Sequence, residues 1–241
     1  MSDAFLVAAA GPIARITLNR PEVGNILTMD ALRALGRTIT ELGAGAERRA
    51  ILVTGAGKDF CLGRDTTGGP PKEKPTAVQM RANLTQPILD VYRALREAPV
   101  PVIAAVQGRA SGLGCAFISG CDIAIASSSA RFRLPEMEKD LPPTLAISAL
   151  LHRVPPKMIT TMVYSLGEID AQTALAAGFV GRVVPDAELA RATEELCATL
   201  AERTPIAVRT VKEYLRTALY MDAGGASDLA GISLANVLSS R

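Results

Sequence analysis

Two glycine-rich turns are the first features of this sequence whose residue types could take part in chemistry. One is Gly63-Arg64, after the apolar run Phe60 to Leu62, and the other is Gly112-Leu113-Gly114, where a predicted strand meets a predicted helix. Backbone amides in such turns are fixed hydrogen-bond donors, and the start of a helix adds its positive dipole end. Glycines equally serve ordinary tight turns in which a strand and a helix pack closely. The first interpretation predicts a site for a negatively charged oxygen.

Glu136, which follows Leu134-Pro135, is the carboxylate that could act as an acid or base. Taken alone, a glutamate after a proline is usually a solvated residue in the first turn of a helix. Partial burial would raise its pKa, which suits a group that takes up a proton and returns it. Glu138 and Asp140 could bring in a second carboxylate, although charges in such a segment more often face solvent.

Other side chains offer little chemistry. The chain has one histidine, His152, on a predicted helix where a packing role is expected. Histidine relays and histidine-based metal sites are therefore excluded, and we predict no metal. Ser111 lies beside glycines but lacks the Gly-x-Ser-x-Gly pattern of hydrolases. The segment GRASGLG suggests a nucleotide-dependent reductase, yet the chain lacks a first-unit Gly-x-Gly-x-x-Gly with a following acidic strand end and a suitable Tyr-x-x-x-Lys.

Composition limits the class of protein. With 49% hydrophobic and 21% charged residues among 241, the chain can bury a substantial core. A net charge of +2 gives no reason to expect nucleic acid as a partner. The cysteines form no Cys-x-x-Cys pair, which predicts reduced, buried thiols in an intracellular protein. They are Cys61, Cys115, Cys121 and Cys197.

The terminal and most apolar segments predict a cytoplasmic protein. The first residues lack the basic start of a signal peptide, and Gly11 and Pro12 interrupt their apolar run. The most apolar region, residues 100–126, contains Arg109 and Asp122, which lipid would not tolerate. We therefore expect this region to be protein core, with no membrane partner.

Strand and helix signals alternate along most of the chain. A helix is expected from Thr28, its N-cap, to Gly43, and two more over residues 78–97 and 112–120. Residues 66–76, dense in glycine, proline and charge, predict a loop that could cover a ligand. The predicted strands are residues 14–19, 50–54, 102–107, 123–126 and 132–134. This repetition predicts an α/β fold with helices packed on sheets.

The last part of the chain has a different character. Two amphipathic helices, Ala187 to Arg203 and Pro205 to Tyr220, are predicted with no strand between them. Thr204 is expected to cap the second helix. Apolar stripes on such a helical region predict a lid over the core or an oligomer interface.

Three separated segments together resemble the crotonase (enoyl-CoA hydratase/isomerase) family. They are ITLNRPEVGNILTMDAL, FCLGRD at Phe60 to Asp65, and AAVQGRASGLGCAFISGCDIAIAS followed by FRLPE. The resemblance continues through IDAQTALAAGFVGRVVP to the C-terminal helices. It implies a spiral of ββα units over residues 1–186, which would hold the acyl-CoA site. It also implies a C-terminal helical region over 187–241 that acts as lid and oligomer interface, in a homotrimer or homohexamer.

The resemblance also implies the roles of site residues. The family stabilises the enolate of an acyl-CoA thioester with two backbone amides, which correspond to those of Arg64 and Leu113, and Glu136 stands where the family has an acid/base glutamate. Coenzyme A enters as part of the substrate, and no prosthetic group is implied. The Arg64 guanidinium could pair with a substrate carboxylate or a CoA phosphate. Residues implied to line the CoA and acyl site are Glu22, Val23, Gly24, Ile26, Leu62, Gly63, Gly112, Gly114 and Ala116.

The sequence departs from the two-carboxylate hydratases at Ala116, where those enzymes have a second glutamate after a cysteine. Hydration uses two carboxylates to orient one water, whereas moving a double bond needs one base. We therefore expect Δ3-Δ2 enoyl-CoA isomerisation with Glu136 as the single acid/base. An enoyl-CoA or dienoyl-CoA hydratase with a non-standard second group is one alternative. A catalytically weak acyl-CoA-binding or scaffolding protein is another.

Overall fold

A mostly parallel sheet forms the centre of the protein in the computed structural model, which describes residues 4–67 and 73–240. β1 runs antiparallel to β2, and the other neighbouring strands are parallel. Across the sheet the strands are β1 (Phe5–Ala8), β2 (Ile13–Leu18), β3 (Ala50–Gly55), β4 (Val102–Val106), β6 (Ile123–Ser127) and β9 (Arg182–Val184). This arrangement confirms the predicted α/β class.

A second, smaller sheet lies beside the ends of these strands. It consists of β5 (Arg109–Ser111), β7 (Arg131–Arg133) and β8 (Ile169–Asp170). β5 and β7 are parallel, with Ala110 opposite Phe132, and Cys61 forms a further parallel bridge to Ala110. This sheet brings the two glycine-rich turns together, because each turn directly follows one of its paired segments.

Helices cover both faces of the main sheet. α1 begins after Thr28, whose hydroxyl accepts a hydrogen bond from Ala31 N at 3.1 Å, so the predicted cap is confirmed. The helices are α1 (Met29–Ala44), α2 (Ala77–Met80), α3 (Gln86–Glu97), α4 (Leu113–Gly120), α5 (Thr144–Leu150), α6 (Pro156–Ser165), α7 (Ala171–Ala176), α8 (Leu189–Ala201), α9 (Pro205–Ala218) and α10 (Ala223–Ser239).

The core has two parts because successive side chains of a strand point to opposite faces of the sheet. Ile51 and Val53 of β3 join the larger cluster beneath α1, α3 and α4, whereas Leu52 joins a smaller cluster with Ala192 and Cys197 of α8. The strands therefore read as continuous apolar runs, as expected for a sheet covered on both sides.

Several sequence predictions need correction. The predicted helix over 78–97 is broken by a π-helical turn at Arg81–Thr85, which separates α2 from α3. β1, the short β5 and the third C-terminal helix α10 were not predicted, since β1 is edge-exposed and α10 has little amphipathic pattern. Of the predicted loop over 66–76, residues 68–72 lie outside the described residues. The side chains of the N-caps Thr76 and Thr204 each accept a hydrogen bond from a backbone amide. The prediction that Thr204 caps a helix is therefore confirmed.

The structure also bears on the predictions about the cysteines and about membrane-spanning helices. All four cysteines are free and buried, as predicted. Within residues 4–67 and 73–240, no helix has the length and apolar character needed to span a membrane. The proposed division between residues 186 and 187 stays a prediction.

Candidate active site

The first glycine-rich turn is tied to the loop that follows β2. Leu27 N donates to Gly63 O at 3.0 Å, and Asp65 N donates to Leu27 O at 2.9 Å. Because Leu27 thus bonds to both neighbours of Arg64, the Arg64 amide points away from Leu27. No hydrogen bond from this amide to another described residue is found. Within the part of the chain that the structure describes, the Arg64 N–H therefore has no acceptor.

The second turn begins α4. Gly112 N donates to Arg133 O at 3.0 Å, which fixes the turn against β7. Gly112 has φ 52° and ψ −111°, a conformation that side chains disfavour. Leu113 is the first residue of α4, so its amide has no acceptor within the helix. It also has none elsewhere in the described part of the chain.

The two turns are in contact with each other. Ser111 N donates to Cys61 O at 3.0 Å, so the segments leading into the turns run side by side. A Cβ atom at Gly63 would lie 3.3 Å from Ser111 O. One at Gly114 would lie 2.2 Å from Cys61 O, so a side chain there would force the segments apart. The glycines are needed for the close approach as well as for the turns.

Glu136 lies directly beside the second turn, at the start of a 3-10 helix, Glu136–Lys139. A Cβ atom at Gly112 would lie 2.6 Å from Glu136 Oε1. Glu136 Oε2 is buried and has no hydrogen-bond partner among the described residues. Burial raises the pKa of this carboxyl, while a backbone hydrogen bond and the charge of Arg133 oppose the rise. The structure thus holds a partly buried carboxylate next to the two turns.

The other acids of this segment face outwards. Glu138 is exposed and forms an ion pair with Arg133. Asp140 is exposed and has φ 51°, where it ends the 3-10 helix. Neither is placed as a second carboxylate beside Gly112. Ala116, on α4, is fully buried and contributes no polar atom.

Four of the residues implied to bind CoA lie in one segment against the first turn, and this segment begins with a short 3-10 helix, Pro21–Val23. Glu22 and Val23 are exposed, and Ile26 is partly buried. Gly24 has φ 71°, and the side chain of Leu62 packs against its Cα. A Cβ atom at Gly24 would lie 2.4 Å from Leu62 Cδ1, so a larger residue would clash. Leu62 N also donates to Gly24 O at 2.8 Å.

Residues that sequence reasoning missed hold this loop in place. Arg20 donates to Asp65 Oδ2 at 2.9 Å and to Ile26 O at 3.1 Å. Hydrogen bonds from Thr67, together with Arg20, lower the pKa of Asp65 to about 2. Asn25 is buried, with φ 57°, and donates to Ala56 O and Asp59 O. A polar residue inside the motif Arg20 to Ile26 was the available signal for Asn25.

Two other residues named in the sequence analysis, Asp122 and His152, have surroundings of their own. Asp122 accepts hydrogen bonds from Val102 N and Lys212 Nζ and is partly buried, so its carboxylate has a structural role. His152 was predicted on a helix, but it lies in the turn after α5, is exposed and stacks edge-on with Tyr220 at 5.4 Å between ring centroids. α5 ends at Leu150, two residues before His152, and α6 begins at Pro156.

Two open cavities lie away from Glu136. One of about 460 Å³ lies at the carboxyl ends of the parallel strands, lined by Lys58, Arg109 and Asp186 among others. The other, of about 370 Å³, lies between α9 and α10. Within the described residues, no group of three or more His, Cys, Asp or Glu side chains is arranged to hold a metal ion.

Comparison with known proteins agrees with this geometry. The model of the family "Enoyl-CoA hydratase/isomerase" matches residues 8–229. A short-chain-enoyl-CoA hydratase of Clostridium acetobutylicum is 34% identical over 214 residues, covering 88% of this chain and 80% of that protein. A carnitinyl-CoA dehydratase of Salmonella typhi is 32% identical over 221 residues, covering 90% and 81%.

A solved structure has the same fold over almost the whole chain. The crystal structure of an enoyl-CoA hydratase of Mycobacterium smegmatis superposes with a TM-score of 0.91 at 28% identity, covering 98% of this chain and 91% of that chain. The chain belongs to the enoyl-CoA hydratase/isomerase (crotonase) family of enzymes. Its fold is the crotonase fold with C-terminal helices, as the sequence resemblance implied.

Proposed function

We propose that this protein is a Δ3-Δ2 enoyl-CoA isomerase in which Glu136 is the single acid/base. The observation that carries the proposal is the buried Oε2 of Glu136 beside Gly112, which has no hydrogen-bond partner among residues 4–67 and 73–240, at a site where position 116 is alanine. Moving a double bond requires one group that takes a proton and returns it. A lone buried carboxylate with a raised pKa suits that task.

The reaction divides into two proton transfers. The Glu136 carboxylate takes a proton from C2 of a 3-enoyl-CoA, and the electron pair moves onto the thioester oxygen. The amides of Arg64 and Leu113 donate hydrogen bonds to that oxygen as it becomes negative, and α4 adds its positive end. Glu136 then returns the proton at C4, which leaves the double bond between C2 and C3. The thioester regains its neutral carbonyl, so atoms and charge balance.

The coenzyme A part of the substrate is proposed to lie along Glu22 to Ile26. Glu22 and Val23 are exposed residues that a ligand could reach there, while Gly24 is packed against Leu62. Arg64 is partly exposed, and among the described residues its guanidinium makes one long contact, 3.4 Å, to Asp65 O. It remains free to pair with a phosphate or carboxylate of the substrate.

Turnover of 3-enoyl-CoA tests the isomerase proposal directly. Purified protein should convert 3-enoyl-CoA to the conjugated 2-enoyl-CoA, followed by absorbance, and Glu136→Gln should lose about a hundredfold or more of that rate. Glu41→Gln, an exposed change on α1, is the matched control and should keep it. An unchanged rate in Glu136→Gln would end the assignment of the base.

Hydration is the second candidate, because relatives similar to this chain are named as a hydratase and a dehydratase. Water addition to 2-enoyl-CoA would need another group to help Glu136 orient the water. Mass spectrometry of the products from 2-enoyl-CoA separates the two candidates, since a hydroxyacyl-CoA is heavier by one water. Binding of acyl-CoA without either product would support the catalytically weak binding protein instead.

We also propose that the chain assembles as a homotrimer or homohexamer through its C-terminal helices. Val211 and Leu215 on α9 and Leu219, the residue that directly follows the helix, recur every fourth residue and are 60%, 54% and 62% exposed. Such an apolar stripe is typical of an interaction surface. The molar mass from light scattering should correspond to three or six copies of the chain. Leu215→Asp should lower that molar mass. Leu6→Asp, an equally exposed apolar position on β1, should not.

A further inference from the structure

Arg133, the last residue of β7, is bonded to both parts of the candidate active site. Its backbone carbonyl accepts the hydrogen bond from Gly112 N at 3.0 Å, in the turn that begins α4. Its side chain donates from Nη2 to Glu138 Oε1, and the two groups form an ion pair. One residue therefore joins the second glycine-rich turn to the 3-10 helix that begins with Glu136. The proposed reaction gives the Arg133 side chain no role.

The 3-10 helix Glu136–Lys139 has little packing of its own. None of its four residues is fully buried, although the partly buried Met137 packs against the larger apolar cluster. A 3-10 helix also has poorer hydrogen-bond geometry than an α-helix. The position of the Glu136 carboxylate therefore depends on the contacts that this short helix makes with neighbouring segments.

The Arg133 guanidinium provides such contacts from two directions. Besides the bond to Glu138, Nη2 donates a longer hydrogen bond, 3.4 Å, to the carbonyl of Leu166, which ends α6 with φ 56°. Arg133 Nε is buried and has no hydrogen-bond partner among the described residues, so this part of the guanidinium is enclosed by protein. The planar guanidinium can hold acceptors from separate segments in a fixed arrangement. Arg133 thus connects β7, the 3-10 helix and the end of α6.

We propose that Arg133 positions the Glu136 carboxylate by holding the 3-10 helix against the Gly112 turn through its ion pair with Glu138. Arg133 is a positioning residue, since it acts on substrate through Glu136. The fit at this place is close, because a Cβ atom at Gly112 would lie 2.6 Å from Glu136 Oε1. A base that is displaced by about 1 Å can lose on the order of a hundredfold in rate. The inference rests on the proposed role of Glu136 as the acid/base.

The charge of Arg133 gives this arrangement a second measurable property. Burial raises the pKa of Glu136, and the positive charge of Arg133 is one of the effects that oppose the rise. Other titratable groups whose charges act with Glu136 are Tyr92 on α3 and Cys115 on α4, and burial raises the pKa of each. Both are therefore neutral while Glu136 titrates, and Glu138 on the same 3-10 helix is paired with Arg133. Removing the Arg133 charge should raise the pKa of Glu136.

Two single variants test the positioning role by kinetics. Arg133→Met removes the charge and keeps an unbranched side chain, and Glu138→Gln removes the charge of its partner at an exposed position. In each variant we expect kcat for 3-enoyl-CoA to fall about tenfold with KM nearly unchanged, because the base is displaced while substrate contacts remain. Arg191→Met and Glu195→Gln, which break an exposed ion pair on α8, are the matched controls and should leave kcat unchanged. An unchanged kcat in both site variants would overturn the inference.

A double variant distinguishes an ion pair that acts as a unit from two separate effects. Arg133→Met combined with Glu138→Gln should lose no more of kcat than Arg133→Met alone, since the pair is already broken. Arg133→Lys should recover part of the lost kcat, because a lysine can still pair with Glu138. Losses that multiply in the double variant would mean that the two residues act independently, which contradicts the proposal.

A titration without substrate completes the test. Carbon-13 NMR of protein labelled at the glutamate carboxyl carbons follows Glu136, and its signal is assigned by its absence in Glu136→Gln. We expect the titration midpoint of Glu136 to rise by about half a pH unit in Arg133→Met. Arg131→Met removes an equal charge from the same strand, where the guanidinium is bound to Ser129 O and Ala130 O, and should leave the midpoint nearly unchanged.

The two kinds of measurement separate this inference from the proposed function. A Glu136 titration that is identical in wild type and Arg133→Met would overturn the inference, whether or not the protein isomerises 3-enoyl-CoA. If wild type does not isomerise 3-enoyl-CoA, the proposed function fails. The titration still decides whether the Arg133 guanidinium acts on the Glu136 carboxylate.

Discussion

Lys212 Nζ donates a hydrogen bond to Asp122 Oδ2 at 2.7 Å, and this ion pair connects α9 to the residue that precedes β6. The ammonium also donates to Leu95 O at 2.9 Å and Val100 O at 3.2 Å, so all three of its protons have acceptors. Lys212 is 6% exposed. A charge held this deep depends on its partners.

Removing this lysine charge should weaken the fold. In Lys212→Met, Asp122 and two carbonyls lose their donor, and we expect the free energy of unfolding to fall by about 3 kcal/mol, near the low end for a broken buried pair because Asp122 is partly exposed. Urea unfolding measures the loss. The control is Arg216→Met on the same helix, whose exposed pair with Glu213 is worth about 0.5 kcal/mol or less. Equal losses of unfolding free energy in the two variants would show that the buried pair stabilises the fold no more than the exposed pair does.

A methyl group at Gly112 should disable the site. Gly112→Ala places a Cβ atom 2.6 Å from Glu136 Oε1 and forces alanine into φ 52°, so the carboxylate and the turn must both move. We expect kcat/KM to fall at least about a hundredfold. Gly231→Ala on α10, where a Cβ meets nothing within 4 Å, should leave kcat/KM unchanged and raise stability by about 0.5–1 kcal/mol. Near-normal activity in Gly112→Ala would mean that Glu136 is not held against this turn.

The stability of the protein should depend on the Glu136 carboxyl in a defined direction. Its pKa is raised in the folded state, so the stability contributed by the protonated form is present below the unfolded pKa of about 4.3 and is lost as pH rises through the folded value. Glu136→Gln cannot ionise, so its melting temperature should gain on wild type as pH rises. The kcat/KM of wild type should fall on the acidic side of the raised pKa. A difference in melting temperature between Glu136→Gln and wild type that stays the same at every pH would refute the raised pKa.

Asp65 should act on substrate binding and in the opposite pH direction. Asp65→Asn weakens the contact of Arg20 with the proposed CoA-binding segment, Glu22 to Ile26. KM for the thioester should therefore rise roughly tenfold, and kcat should fall by less. Because the folded pKa of Asp65 is lowered to about 2, its stabilisation is present above the unfolded value of about 3.9 and is lost as pH falls toward 2. Asp30→Asn, whose carboxylate is 92% exposed, is the control for both measurements. An unchanged KM in Asp65→Asn would exclude the loop from CoA binding.

The sequence by itself determined the local elements and the candidate chemistry. Helical spacing and the cap at Thr28 placed α1, and apolar runs placed β3, β4 and β6, because these signals depend on near neighbours in the chain. The glycine turns and Glu136 were recognisable as a motif. The roles of Arg64, Leu113 and Glu136 in catalysis remain predictions.

Only the tertiary structure decided which distant groups meet. Lys212 carries no local signal, and the hydrogen-bond partners of both Asn25 and Lys212 come from segments far away in the chain. The three-residue β5 is too short for a periodic pattern, and it forms because Cys61 and β7 pair with it. Burial of Glu136 Oε2 likewise depends on the packing around Gly112 and on neighbours that no sequence pattern specifies. A pKa set by burial is therefore a property of the fold, whereas the residue that titrates is a property of the sequence.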